Sequence, residues 1–437
     1  MTPGRIDIIT MGCSKNLIDS ERLIKRLEGK GYKAKHNDEN PSGEYVVVNT
    51  CGFIGDAKEE SINIILNLAQ LKNSHEIGKI IVMGCLSERY RTLLPEEIPE
   101  VDEWYGKFDW NRFAELLPSR SGTAKKVKDW DRSLTTPPWS AYVKVSEGCD
   151  RFCAYCAIPH ITGRHKSRNM EEILEEVAHL AKNGVREFNI IAQDLSSYGM
   201  DLYGSQKLPE LIDSMASIDN VEWIRLHYLY PAGFPMGILD VINRHPNVCR
   251  YLDIALQHIS DKVLDKMNRK ISKKETEDLL ATIRSRVPGI HLRTTVMTGF
   301  PGEDEEAFRE LTEFVRSQRF ERLGGFAYCE EEDTTAAKTL KDEIPQEVKE
   351  ERLSEIMAIQ QEISENMNLA KVGSVMKVLV EEKEGDITIG RTEFDSPEVD
   401  QEVYIDDCNA APGSFVDVEI ISAGPFELRG RHLQGNK

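Results

Sequence analysis

The sequence predicts an α/β protein in three parts. A small N-terminal α/β domain with a parallel sheet precedes a central incomplete (β/α)6-type barrel and a C-terminal all-β, OB-like barrel. Three observations predict this. Apolar, β-branched runs alternate with helical patterns through most of the chain, as parallel sheets require. Near residue 373 the pattern changes to short alternating runs between turns. The length, 437 residues, exceeds what one ordinary core holds. We divide the chain at residues 1–130, 131–372 and 373–437.

In the first part, "IDIIT", "YVVVNT" and "KIIVMG" read as strands. "DSERLIKRLEGKG" and "DAKEESINIILNLAQLKN" between them have apolar residues at helical spacing. Each strand run is followed by a cysteine: Cys13, Cys51 and Cys85. Carboxyl ends of parallel strands share one sheet edge, where ligands bind in such folds. Three thiols far apart in sequence are therefore expected to converge.

The second part carries six strand candidates: "AYVKVS", "EFNIIA", "WIRLHY", "YLDIAL", "HLRTTVM" and "LGGFAY". Helical stretches such as "NMEEILEEVAHLAKNG" and "KKETEDLLATIRSRV" separate most of them. Six βα units imply a barrel with fewer than eight strands, with its chemistry on the loops after the strands. A long charged helix, "PQEVKEERLSEIMAIQQEISENMNLAKVG", closes the part, and its "KEERLSE" stretch reads as a solvated face.

The third part has five short strands: "SVMKVLVEE", "DITIGRTEF", "QEVYIDD", "SFVDVEIISAG" and "FELRGRH". A small antiparallel barrel is expected. It holds 14 acidic residues against 6 basic ones, a formal charge of −8.

The whole chain carries a net charge of −19, which argues against broad electrostatic nucleic-acid binding and favours a small-molecule or basic-protein partner. No apolar run approaches a membrane span. The start, "MTPGRIDIITMGC", lacks the features of a secretory signal, so a cytoplasmic location is expected. Nine cysteines cannot all pair, and clustered thiols in such a chain point to metal ligation or catalysis.

The segment "EGCDRFCAYCAIP" places Cys149, Cys153 and Cys156 in a C-x3-C-x2-C array. A structural zinc site closes with four ligands, usually as paired CxxC motifs, and no second pair lies nearby. An iron–sulfur cluster held by three thiolates instead leaves one iron open to substrate or cofactor.

"CDRFCAYC" resembles the C-x3-C-x-aromatic-C signature of radical S-adenosylmethionine (SAM) enzymes, with Tyr155 in the aromatic slot. The resemblance implies a 4Fe–4S cluster whose open iron binds SAM and cleaves it reductively. The 5′-deoxyadenosyl radical so formed takes hydrogen from an unactivated carbon. Cys13, Cys51 and Cys85 are similar to the ligands of a second 4Fe–4S cluster in the methylthiotransferase subfamily, where it handles the sulfur to be inserted. The subfamily's three-domain order, ending in a TRAM module, covers essentially the whole chain. "MGCSKNLIDSER", "KVSEGCDRFCAYCAIP" and "LHYLYP" resemble the branch that modifies an aspartate of ribosomal protein S12. The branch that modifies tRNA adenosines is nearer "GCQMN" after its first cysteine. An acidic last domain also suits a basic protein better than tRNA.

The implied reaction inserts a methylthio group at the aspartate β-carbon, one SAM supplying the radical and a second the methyl group. Implied partners are ribosomal protein S12, free or in the 30S particle, a reductase or flavodoxin-type electron donor, and a sulfur donor. No membrane is expected, and tRNA is disfavoured. Two other readings stay open: a tRNA adenosine methylthiotransferase, and an iron–sulfur electron-transfer or sulfur-carrier protein.

Candidate SAM contacts are Tyr155, whose ring packs either on adenine or simply in the core, Gln193 and Asp194 in "IIAQDLSSYG" and Arg293 on "HLRTTVM", which bind SAM or substrate or else satisfy barrel-end hydrogen bonds, and Gly299 and Gly302 in "TGFPGE", a SAM-side backbone or a barrel turn. Gln257 stands at a strand end, and His258 beside it reads as a hydrogen-bonding core residue. His160, Arg164, His165 and Lys166 read as a solvated basic patch. Arg429 and Arg431 read as surface charges, and Cys249, Cys329 and Cys408 as incidental thiols.

Overall fold

The computed structural model describes residues 1–120, 127–385 and 387–433. The N-terminal sheet is all parallel, built from β1 (Thr2–Thr10), β2 (Lys33–His36), β3 (Gly43–Thr50), β4 (Lys79–Gly84) and β5 (Glu103–Trp104) in the order β2-β1-β3-β4-β5. The three apolar runs are its centre. Alternate side chains serve opposite faces. Ile6, Ile8, Val47 and Ile81 pack under Leu23 and Leu27 of helix Ser14–Gly29, while Val46, Val48, Ile80 and Val82 pack under Ile65 and Leu68 of helix Gly55–Asn73. The edge strands β2 and β5 are short and not fully buried, so no apolar run announced them. This doubly wound order has its switch point between β1 and β3, the strands preceding Cys13 and Cys51.

The six expected barrel strands are all present: β6 (Ser140–Lys144), β9 (Glu187–Ile191), β10 (Trp223–Leu229), β11 (Val248–Gln257), β12 (His291–Thr298) and β13 (Arg322–Ala327). They form one open parallel sheet in sequential order. A two-residue ladder, β7 (Ser146–Glu147) with β8 (Lys166–Ser167), fastens both ends of the loop that carries Cys149, Cys153 and Cys156. Ile190, Leu226, Leu252, Leu292 and Val296 belong to the helix-covered core. The alternating set includes Lys144, Glu187, Asn189, Arg225, His227, Asp253 and Arg293, so the concave face is polar.

The last domain is a closed barrel of β14 (Val375–Glu384), β15 (Ile387–Thr392), β16 (Glu402–Asp406), β17 (Phe415–Ala423) and β18 (Glu427–His432). It is not wholly antiparallel as expected: β16 and β18 pair in parallel, closing the ring in the order β14-β15-β16-β18-β17.

Charged side chains join the parts. At the amino-terminal end of the barrel, Arg391 grips both oxygens of Glu187 at 2.9 and 2.8 Å, and Arg225 adds a third contact at 2.9 Å. Asp395 pairs with Arg322 at 2.6 Å. At the carboxyl end, Glu331 accepts from Arg89 at 2.9 Å and Lys58 at 3.0 Å of the N-terminal domain. Arg132, in the connecting segment, bridges Glu21 to Glu176. The charged closing helix, Gln346–Leu369, is not simply solvated at "KEERLSE": Lys349 and Arg352 are buried, and Arg352 pairs with Glu303 at 2.9 Å.

Candidate functional site

Cys13, Cys51 and Cys85 follow three neighbouring strands, and the structure brings them together. Cys13 is the N-cap of helix Ser14–Gly29, Cys51 follows β3 directly, and Cys85 opens helix Cys85–Arg89. Asn16 ties the strand ends: its Nδ2 donates to the Met11 and Thr50 carbonyls at 3.1 and 3.0 Å. Its Oδ1 lies 3.7 Å from Cys85 Sγ and 3.4 Å from Lys107 Nζ. Burial pushes the Cys85 thiol up to about 12 and raises Cys51. Burial also acts against Cys13, but the Lys15 and Lys107 ammoniums hold its thiol below the ordinary value. Thiols so costly to ionise alone are suited to a cation that takes them as thiolates.

The second loop is built as firmly. The Cys149 amide donates to the Gly163 carbonyl at 3.2 Å, and the Cys156 amide to the Cys153 carbonyl at 3.0 Å. Gly148 is left-handed at φ 71°, and a Cβ there would stand 2.1 Å from the Arg164 carbonyl oxygen. Arg269 donates to Cys153 Sγ and to Tyr155 Oη, both at 3.2 Å. Tyr230 Oη lies 3.7 Å from the same Cys153 sulfur, and the guanidiniums of Arg151 and Arg269 lie over its ring, 4.2 and 4.1 Å from the centroid. Burial pushes Cys149 and Cys156 up to about 12.

A buried chain of charges runs from one loop to the other. Lys107 Nζ meets Asp19 Oδ2 at 3.1 Å, and Lys144 Nζ meets Asp19 Oδ1 at 2.5 Å. Lys144 also pairs with Glu147, which accepts from Gln193 Nε2 at 3.4 Å. The Oε1 atoms of Gln193 and Gln257 are buried without a protein partner, and Gln257 holds φ at 74°. Unpartnered polar atoms at strand carboxyl ends fit a polar cofactor such as SAM. Among the described residues, no three His, Cys, Asp or Glu side chains are arranged for a single metal ion.

Several sequence expectations change. Asp194 is committed within the protein: it accepts from Arg151 Nε at 2.6 Å, Ser197 Oγ at 2.5 Å and the Ser196 amide at 3.0 Å. Its role is to anchor Arg151 of the cysteine loop. Arg293 lies near the start of β12, away from that loop, and pairs with Asp400 at 3.3 Å and Asp253 at 3.6 Å. Tyr155 packs edge-on to Phe300, with centroids 6.2 Å apart, and braces the loop. Gly299 and Gly302 are left-handed, at φ 71° and 97°, and a Cβ on Gly299 would also stand 2.1 Å from Lys349 Cγ, so backbone shape and packing account for them. His258 uses both ring nitrogens, toward Glu303 Oε2 at 3.1 Å and the Ser260 amide at 3.0 Å, as a core histidine should. His165 is buried beside Ser167 at 3.2 Å, so the basic patch is not all solvated.

Comparison with known proteins follows this three-part plan. Residues 143–315 match the Radical SAM superfamily, residues 5–106 the Uncharacterized protein family UPF0004, and residues 372–433 the TRAM domain. A curated protein of Phocaeicola vulgatus named ribosomal protein uS12 methylthiotransferase RimO is 57% identical over 430 residues, covering 98% of this chain and 99% of that one. Proteins of the same name from Bacteroides thetaiotaomicron and Porphyromonas gingivalis are 57% and 54% identical, each covering 99% of this chain and 99% of their own. The chain belongs to the RimO family. Among solved structures, the radical SAM methyltransferase TsrM from Kitasatospora setae has the same fold with a TM-score of 0.55 at 16% identity, covering 74% of this chain and 72% of that one. OxsB, a cobalamin-dependent radical SAM enzyme, matches at 0.51 and 12% identity, over 82% of this chain and 56% of its own.

In this RimO-family chain, sequence reasoning missed Asn16, Lys107, Tyr230 and Arg269. Asn16 is three residues beyond Cys13 at the start of its helix, the spacing that returns a side chain to the same face. "LHYLYP" contained Tyr230 without marking it. Lys107 and Arg269 stand in loops with no local pattern, and only the fold brings them to the cysteines.

Proposed function

We propose that this chain inserts a methylthio group at the β-carbon of an aspartate of ribosomal protein uS12. The observation that carries this reading is two groups of three cysteines, one at the carboxyl edge of each parallel sheet, joined by a buried charge chain, in a chain so close in sequence to the RimO relatives. Cys149, Cys153 and Cys156 would hold the 4Fe–4S cluster that faces SAM, and Cys13, Cys51 and Cys85 the second 4Fe–4S cluster. When bound, these groups supply the carbon-centred radical and the sulfur that an unactivated carbon requires.

The chain's own residues do the rest. Arg269 and the Cys149 backbone contact fix the second loop. Asn16 ties the ends of β1 and β3 beside Cys13 and Cys51, and its Oδ1 faces Cys85. Gln193 and Gln257, whose buried oxygens lack a protein partner, would hold polar groups of SAM. The division of labour we assign is sulfur handling in 1–130, radical generation in 131–372 and protein recognition in 373–437. The acidity of the last domain favours a basic protein over tRNA, although Asp395 and Asp400 are spent on barrel arginines. The reading requires two further partners, an electron donor of reductase or flavodoxin type and a sulfur donor.

The test offers purified uS12 and tRNA separately to the reconstituted protein with SAM, reductant and sulfide. Mass spectrometry should find about 46 Da, the net gain of SCH2, on an aspartate of uS12, since the cofactors supply the group. A gain on tRNA alone would overturn the substrate assignment.

A further inference from the structure

An aspartate substrate poses a recognition problem. Its β-carbon must be presented between the two cysteine loops, and the handle beside that carbon is a carboxylate. A carboxylate taken out of water needs a cation that is not already neutralised.

The cations around the two loops and the concave face of the barrel are mostly committed. Lys107 and Lys144 share Asp19. Arg151 belongs to Asp194, Arg225 to Glu187 and Arg293 to Asp253 and Asp400. Arg269 is spent on Cys153, Tyr155 and the Ala255 carbonyl. Lys15 differs. Among the described residues its ammonium forms no ion pair; it lies over the Tyr228 ring, 3.6 Å from the centroid.

Its position is also apt. Lys15 is two residues beyond Cys13 and half-buried. Tyr228, which cradles it, is the penultimate residue of β10, two residues before Tyr230, the neighbour of Cys153. Lys15 thus stands where the first loop meets the strand that reaches the second. Tyr228 holds φ at 61°, an unusual state for a bulky aromatic residue, and its amide donates to Asp253 Oδ2 at 3.3 Å. The ring face supports the ammonium without neutralising it.

We propose that Lys15 receives the side-chain carboxylate of the target aspartate and so fixes its β-carbon between the two cysteine loops. The proposal rests on the uS12 reading above. An amide in place of the carboxylate would lose the charged partner, and a variant without the ammonium would no longer tell the two apart.

The test is equilibrium binding of uS12 to the reconstituted protein, followed by fluorescence anisotropy without reductant so that no turnover occurs. Two ligands are compared: uS12, and uS12 with the target aspartate changed to asparagine. The unaltered chain should bind the aspartate form about tenfold more tightly, the scale of one charge-assisted contact. In protein that loads its full iron, Lys15→Met should bring the ratio near one, and Lys15→Arg should restore part of it. If Lys15→Met loads iron poorly, Lys15→Gln takes its place. A ratio that stays near tenfold in the loaded variant, while uS12 is still modified, overturns the Lys15 assignment alone. A chain that modifies tRNA and does not bind uS12 overturns the substrate reading and this proposal with it.

Discussion

At Gly12 there is no room for a methyl group. The residue is left-handed at φ 82°, and a Cβ would stand 2.8 Å from Cys51 Cβ and 2.9 Å from its sulfur. A single added carbon therefore both strains the backbone and displaces a candidate ligand. Gly12→Ala should lower iron toward about four per chain while the Cys149 loop still loads, because each 4Fe–4S cluster accounts for about four. Iron analysis with EPR checks this, and full iron content would count against Cys51 as a ligand. Legibility at this scale was uneven. Strand-end position and spacing singled out the six cysteines, and the fold places each group of three at strand carboxyl ends. The protein partners of Asp194 and Arg293 could not be read, because a strand-end polar residue looks the same in sequence whether a protein group or a cofactor satisfies it.

Elements were more legible than residues. Every central strand expected from an apolar run is present, since burial between helix layers demands such runs. The edge strands β2 and β5 were not, because pairing on one side asks less of the sequence. Nor did the alternation in the last domain reveal that β16 and β18 run parallel; strand direction is a property of the connections. The docking of that domain depends on Glu187, fully buried between Arg391 and Arg225 and also accepting from Ser140 Oγ at 2.7 Å. Removing its charge leaves the buried Arg225 guanidinium without a carboxylate partner and Arg391 with Glu381 alone. Glu187→Gln should cost about 3–5 kcal/mol in denaturant unfolding. Lys274→Ala, which breaks an exposed pair with Asp278, should leave the midpoint unchanged. Equal effects of the two would contradict the weight given to the buried cluster.

Across the whole molecule, buried charge sets the response to acid. Burial holds His227 well below its ordinary value, helped by Arg225 and Arg293. Burial likewise holds His291, stacked on Phe394 at 3.8 Å, down at about 3. A histidine lowered in the folded state binds its proton more readily when unfolded, so stability falls as pH drops below about 6.5. Asp19 is opposed by burial but held at about 2 by Lys144 and Lys107, and its contribution is lost only as pH falls below about 4. Melting temperatures should therefore decline between pH 7 and 5, before the paired carboxylates titrate, and His227→Gln should flatten that decline. An unchanged slope in the variant would remove His227 from the account.

The measurement that bears most directly on the two loops is iron counting with Mössbauer spectroscopy on the anaerobically reconstituted chain. Two variants serve as comparisons, one with Cys13, Cys51 and Cys85 replaced by alanine, the other with Cys149, Cys153 and Cys156 replaced. The unaltered chain should hold about eight irons as two 4Fe–4S clusters, and each variant about four. An unaltered chain that saturates near four irons, or a triple variant that keeps all eight, would contradict it.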